Sequence, residues 1–250
     1  MNNAQTFSQN SDQYARSRPQ YPPELFAYLS SLCPGHTAVW DCATGNGQAA
    51  VSLAEYFARI EATDISAEQL QHGLPHPHVR YSLSPAEHTT FSDATFDLVT
   101  VATAFHWFDQ PAFFREVERV LKTHGILAIW SYSFFTIDPA IDHLIKTEFL
   151  DSIDRYWAAG NRQMFTGYRD VTLPFEELAT PQFSMSIQWT LSQLIGFLET
   201  WSAVKRFTQA HGVDPIAKLL PGLEPLWGAP AAARTVRMPI FLRVGKKSAP

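Results

Sequence analysis

The stretch AVWDCATGNGQAA, residues 38–50, decides how the rest of the chain is read. A short apolar run ends on Asp41, glycines follow at positions 45 and 47, and Gln48 to Phe57 then reads as a helix. Strand, glycine loop and helix in that order make a cradle for a ligand, because Gly45 and Gly47 put no Cβ between the backbone and what it binds. The run from Thr37 to Cys42 ahead of the loop reads as a buried strand. Beyond it, RIEATDIS is a second strand ending on Asp64, followed by a short helix from Ala67 to His72 and a strand near His78 to Ser82. FDLVTVATA is a further buried strand. PAFFREVERVL starts on Pro111 and collects Phe113, Phe114, Val117, Val120 and Leu121 on one helical face, and after Gly125 comes the buried strand ILAIWSY. Strands and helices alternating over short connections predict a parallel sheet with helices on both faces.

The flanks are less regular. Pro22 and Pro23 open a helix carrying Leu25, Phe26 and Leu29, and Gly35 stops it. Past Ser133 the rhythm changes: Asp138 with Pro139 caps a helix, and an aromatic stretch without clear strands runs to about Pro181. FSMSIQWT alternates strictly, with Phe183, Met185, Ile187 and Trp189 on one side. Thr190 and Gln193 form a capping box for one helix over LSQLIGFLETWSAVKRF. TVRMPIFLRVG reads as a reversed final strand, with Pro239 predicting an edge or a bulge.

The 250 residues are 46% hydrophobic and 17% charged, enough for a full core in one domain or one domain with an insertion. A net charge of −5 supplies no basic stripe for a phosphate backbone, so the expected partner is a small molecule and not nucleic acid. No run is long enough to cross a bilayer, and the polar start MNNAQTFSQNSDQ lacks a signal peptide's apolar centre, which predicts no membrane partner and a cytoplasmic protein. The two cysteines, Cys33 and Cys42, form no C-x-x-C pair and read as small buried hydrophobes. His72, His76 and His78 lie among Pro75 and Pro77 and read as a solvated turn, so no metal is expected.

The cofactor is harder to name from the loop alone. Gly45 to Ala50 satisfies G-x-G-x-x-A, the dinucleotide fingerprint, while D-x-x-x-G-x-G from Asp41 is the pattern of an S-adenosylmethionine loop. Asp64 ends its strand where a carboxylate can accept both hydrogen bonds of a ribose diol, a position common to both cofactor classes. A helix-capping role competes there, since Ser66 and Glu68 follow.

The order of motifs from Tyr14 to about Tyr132 resembles class I S-adenosylmethionine-dependent methyltransferases, nearest to the branch containing trans-aconitate and farnesoic acid methyltransferases. YARSRPQYP, WDCATGNGQAA, ATDIS, SPAEHTTFSDATFDLVTVATAFHWFD and REVERVLKTHGILAIW carry the likeness. It implies an α/β, Rossmann-like fold: a mostly parallel seven-stranded sheet, helices on both faces, a reversed last strand and an aromatic helical insertion after strand 5. On this reading residues 1–250 are a single domain, with an arm over the cofactor (1–22), a cofactor-binding core (34–133), a substrate cover (about 134–181) and the closing strands and helices (182–246).

The same resemblance implies roles residue by residue. Asp41, Ala43, Gly45 and Gly47 would lie under the methionine part of S-adenosylmethionine. Asp64 would hold the ribose, with Ile65 also among the cofactor-binding residues; Ala86 and Glu87 would lie beside the adenine, Thr103 and Ala104 near the sulfur, and Tyr14 and Arg18 on the carboxylate. Ala43 stands where the loop usually has its first glycine, so the turn is expected to avoid positive φ there. His106 is the candidate general base, with a structural histidine orienting the next helix as the competing role. His106, Trp107, Tyr156, Trp157, Tyr168 and Trp201 form the candidate acceptor site, with Phe165 beside them, and Arg162 and Arg169 are either a carboxylate clamp or surface charges. The expected activity is methylation of a small, partly apolar molecule, with a carboxylate oxygen as the acceptor considered. A dinucleotide-dependent oxidoreductase and a non-catalytic S-adenosylmethionine-binding protein are the rival readings.

Overall fold

Alternation along the first strand shows why the centre of the molecule is a sheet covered on both sides. In β1 (Val39–Cys42), Trp40 and Cys42 enter one apolar cluster and Val39 enters the other. The computed structural model describes residues 20–132 and 134–249. The next elements are α1 (Pro23–Leu32), which precedes β1, then α2 (Gln48–Leu53), β2 (Ile60–Asp64), α3 (Ala67–Gln71), β3 (Val79–Leu83), β4 (Phe96–Ala102), α4 (Gln110–Val120) and β5 (Leu121–Tyr132). β3, β2, β1, β4 and β5 are parallel neighbours in that order. Leu25, Phe26 and Leu29 of α1 and Ala49, Ala50 and Leu53 of α2 cover one face; Phe113, Val117 and Val120 of α4 cover the other. Each large side chain so buried contributes roughly 1.5–3 kcal/mol, so the sheet's middle is the most strongly fixed part of the fold.

After β5 the chain leaves the sheet through α5 (Pro139–Leu144), a π-helical segment (Ile145–Leu150), α6 (Asp151–Ile153) and a 3-10 turn (Asp154–Tyr156), and then α7 (Ala159–Phe165). It returns as β6 (Glu176–Leu178) and β7 (Phe183–Trp189), continues through α8 (Leu191–Glu199), α9 (Ser202–His211) and α10 (Pro215–Trp227), and ends in β8 (Arg234–Lys246). β8 lies antiparallel to β5, as the reversed last strand required. The sheet's eight strands fill the seven positions expected, because β6 and β7 lie end to end along β8: β6 pairs with Val244 to Lys246 and β7 with Arg234 to Ile240.

One local expectation is met and one is corrected. Pro239 pairs with Ser184 of β7 on one side and lies beyond the β5 pairing on the other, so it stands at a local edge of β8. Its missing N–H is tolerated because β5 stops pairing at Tyr132 opposite Ile240 and the next contact on that side is the Thr136–Arg237 bridge. The long helix expected after Thr190 is two helices, broken at Thr200 and Trp201, although the Thr190–Gln193 capping box is present.

Candidate active site

The loop between β1 and α2 is tied down at every turn. Asp41 is buried and accepts from Thr44 Oγ1 at 2.5 Å and from Thr100 Oγ1 at 2.6 Å. Burial pushes its carboxyl up to about 6, against the pull of those two hydroxyls. Thr44 N–H donates to Thr63 O, Gly47 N–H to Thr44 O, and Gly45 N–H to Asp64 Oδ2 at 2.8 Å. Asp64 Oδ1 accepts from Ser66 N–H at 2.8 Å, and Ser66, not Asp64, caps α3. Each Asp64 oxygen keeps a lone pair, so the carboxylate can brace the loop and still receive a diol.

Ala43 corrects an expectation: its φ is 54°, in the left-handed region. Two bonds given by the next residue, Thr44 Oγ1 to Asp41 and Thr44 N–H to Thr63 O, hold it there despite a cost of roughly 1–2 kcal/mol for a non-glycine residue. Ala43→Gly should therefore stabilise the protein by about 0.5–1 kcal/mol, since relief of strain exceeds the entropy glycine adds to the unfolded chain. Urea titration checks it, and a loss of stability would contradict the strain.

A Cβ placed on Gly45 (φ 58°) would meet only Gln69, at 3.8 Å, so the loop faces open space there. Ile65 is 67% exposed and Leu83 is 63% exposed, and Leu83 pairs with Asp64 across β2 and β3. Two large apolar side chains bared beside the loop make a platform for a flat ligand. Ala86 is buried, and Glu87 Oε1 accepts from Asp109 N–H at 3.1 Å, which joins this loop to the start of α4. Thr103 follows β4 with φ 55°, its N–H donating to Trp130 O; Ala104 leads into the 3-10 turn Phe105–Trp107.

His106 in that turn is held from two sides. Its Nδ1 lies 3.1 Å from Tyr168 Oη, and the two rings stack at 6.2 Å; Trp107 is 4.6 Å away on its other neighbour position. Gly160 packs so closely that a Cβ there would meet His106 O at 2.9 Å. Burial lowers the imidazole to about 4 and raises the Tyr168 hydroxyl, so both are neutral at pH 7. Tyr168, itself at φ 57°, is anchored through its carbonyl by Arg243, which pairs with Glu177.

The aromatic cover forms around Phe134: Phe165 lies 4.5 Å away, Trp201 5.9 Å and Trp157 6.3 Å, and Trp157 meets Trp201 at 5.4 Å. Tyr156 does not join this group. Its hydroxyl meets His211 Nε2 at 2.6 Å and its ring packs on Phe207, on the α9 side. Arg162 pairs with exposed Asp154, and Arg169 Nε donates to Thr166 O, so both are surface charges and not a clamp. Tyr14 and Arg18 lie outside the described residues. Cys33 and Cys42 are buried free thiols, and no group of His, Cys, Asp and Glu among the described residues suits a metal ion. No described helix is long and apolar enough to cross a membrane. Sequence reasoning missed Thr44, Thr100, Phe134, Gly160 and Arg243; the signal available was the hydroxyl three residues after Asp41.

Residues 40–129 match a family model described as a methyltransferase domain. A protein of Dictyostelium discoideum named as a methyltransferase is 31% identical over 217 residues, 85% of this chain and 82% of that one. A solved structure from Anaeromyxobacter dehalogenans, described as a type II methyltransferase, is 34% identical with a TM-score of 0.88, covering 93% of this chain and 99% of that one. The YcgJ protein of Bacillus subtilis, 18% identical with a TM-score of 0.52 over 90% of this chain and 98% of its own, shares the fold. With the parallel sheet, its reversed strand and the loop braced by Asp41 and Asp64, these matches assign the family: the chain belongs to the class I S-adenosylmethionine-dependent methyltransferases.

Proposed function

We propose that the protein methylates a small, partly apolar molecule, at a carboxylate oxygen. The observation that carries the acceptor half is the state of His106. The Tyr168 hydroxyl lies 3.1 Å from Nδ1, and with that hydroxyl as the donor the imidazole keeps its proton on Nε2. A neutral histidine in that form is a donor, and its low basicity suits an acceptor already ionised at pH 7, as a carboxylate is. The aromatic cover of Trp157, Phe165 and Trp201 supports an apolar body for the acceptor and keeps water from the reacting atoms.

For the methyl donor, the open side of Gly45 suits the methionine part, the spare lone pairs of Asp64 the ribose, and the exposed faces of Ile65 and Leu83, with Ala86 and Glu87, the adenine. Thr103 and Ala104 end β4 where the sulfur would lie. Bound S-adenosylmethionine supplies an electrophilic methyl group on a sulfonium. The protein's own part is alignment: His106 Nε2–H orients one carboxylate oxygen while the other faces the methyl group in line with its leaving atom.

Labelled methyl transfer to a panel of apolar acids, phenols and amines tests this, with transfer to the acids alone expected. Transfer only to amines or phenols would overturn the carboxylate assignment. The pH profile of kcat should be flat from about pH 7 to 9, because that range lies above both the Asp41 carboxyl near 6 and the His106 imidazole near 4. His106→Gln, which keeps a donor, should retain most of the rate, and His106→Ala should lose about tenfold or more. A limb near pH 6.5 that disappears in His106→Gln would instead assign proton transfer to the imidazole.

A further inference from the structure

Five residues other than glycine take a positive φ among the described residues, and three of them, Ala43, Thr103 and Tyr168, stand around the site. Ala94 and His124 lie at the opposite end of β4 and β5. Thr103 is the one with a branched Cβ, and at φ 55° its second heavy atom crowds the backbone. Glycine would take the same angle without strain, so threonine stands here at a cost to stability.

β1 and β4 run level, with Cys42 opposite Val101, so Thr103 lies two residues on, beside the start of the glycine loop. Its N–H donates to Trp130 O of β5, and His106 follows three residues later in the 3-10 turn. Thr103 therefore stands between the loop and the histidine, at the carboxyl end of the strands where α/β sheets take their ligands. Other threonine hydroxyls at this end are committed: Thr44 and Thr100 give theirs to Asp41, and Thr63 receives Trp40 Nε1–H. Thr63 and Thr100 are fully buried, whereas Thr103 is partly exposed.

What threonine adds over glycine at this angle is a methyl group and a hydroxyl. S-adenosylmethionine spreads its positive charge over the sulfur and the carbons bonded to it, so its methyl hydrogens are drawn to an oxygen lone pair. S-adenosylhomocysteine has neither that charge nor that methyl group. We infer that Thr103 is a specificity-determining residue whose hydroxyl oxygen faces the sulfonium methyl group, so that the site holds the methyl donor in preference to its demethylated product. Such a preference clears the site after each transfer. The inference rests on the placement of Thr103 at the sulfur and not on the identity of the methyl acceptor.

Calorimetric titration of the full chain with S-adenosylmethionine and with S-adenosylhomocysteine, without any acceptor, tests it. Thr103→Val keeps the branched shape and removes the hydroxyl. It should lower the ratio of donor affinity to product affinity by about threefold or more, the effect of one weak bond from a polarised C–H. Thr103→Ser keeps the hydroxyl and should hold the ratio of the unaltered protein. Thr103→Gly should lose the preference as Thr103→Val does, yet melt at a higher temperature without ligand, because glycine takes φ 55° unstrained. A ratio that moves less than about threefold in Thr103→Val overturns the inference, including the case in which both ligands weaken equally, which would place the hydroxyl on a part they share. A Thr103→Gly variant that melts lower overturns it as well, since the side chain would then be a support of the fold. These ratios are read without an acceptor, so failure of the carboxylate reading leaves them unchanged.

Discussion

Asp64→Ala should weaken S-adenosylmethionine binding by about a hundredfold or more. Hydrogen bonds to a charged group contribute roughly 1.5–3 kcal/mol each, and removing the acceptor of a ribose diol forfeits two of them, while each tenfold in affinity is about 1.4 kcal/mol. The same change strips Gly45 N–H and Ser66 N–H of their acceptor, so the glycine loop loses one of its braces and the start of α3 loses its tether. The fold itself should survive, because β2 keeps its pairing with β1 and β3. Calorimetric titration with S-adenosylmethionine reads the result. A loss under fivefold would mean that the carboxylate serves the loop and not the ligand.

Gly47→Ala should be at least as damaging, and by a different route. Gly47 has φ 86°, and a Cβ there would stand 2.0 Å from Tyr81 Oη. Tyr81 cannot yield cheaply, because its hydroxyl donates to Leu74 O at 2.7 Å, and Leu74 N–H in turn donates to Asn46 O. The left-handed penalty and the displaced ring together should destabilise the protein by about 2–4 kcal/mol and reshape the loop that receives the cofactor. Thermal unfolding with and without S-adenosylmethionine separates the two effects. Tyr81→Phe combined with Gly47→Ala should recover part of the stability, since the untethered ring can turn aside. A double variant no better than the single one would place the fault in the backbone angle alone.

The core sheet was legible because its residues obey simple periods. Strands such as FDLVTVA are buried on both faces and read as apolar runs, and the PAFFREVERV helix shows its covered face at helical spacing. The carboxylates at the ends of β1 and β2 were legible as well, since a strand ending in aspartate ahead of glycine or a helix has few other uses. What stayed hidden depends on the third dimension. Nothing local says that Ala43 takes a positive φ; that follows from bonds made by Asp41 and Thr63 on two different strands. Tyr156 and Trp157 are adjacent in the chain and equally aromatic, yet one joins the cover and the other turns to α9. Pro239 was legible as the mark of an unpaired side, although which neighbour leaves that gap cannot be read from the strand that contains the proline.

The segment between β5 and β7 is secured at both its departure and its return to the same strand. Thr136 bridges to Arg237 as the chain leaves, and Glu176 to Leu178 pair with β8 as it comes back, with Arg243 holding the Tyr168 carbonyl between them. A span pinned at two abutments to an interior strand is an arch and not a door. On the proposed reading, acceptor and methylated product would pass beside this arch, and the ceiling over the reaction would keep its shape from one turnover to the next.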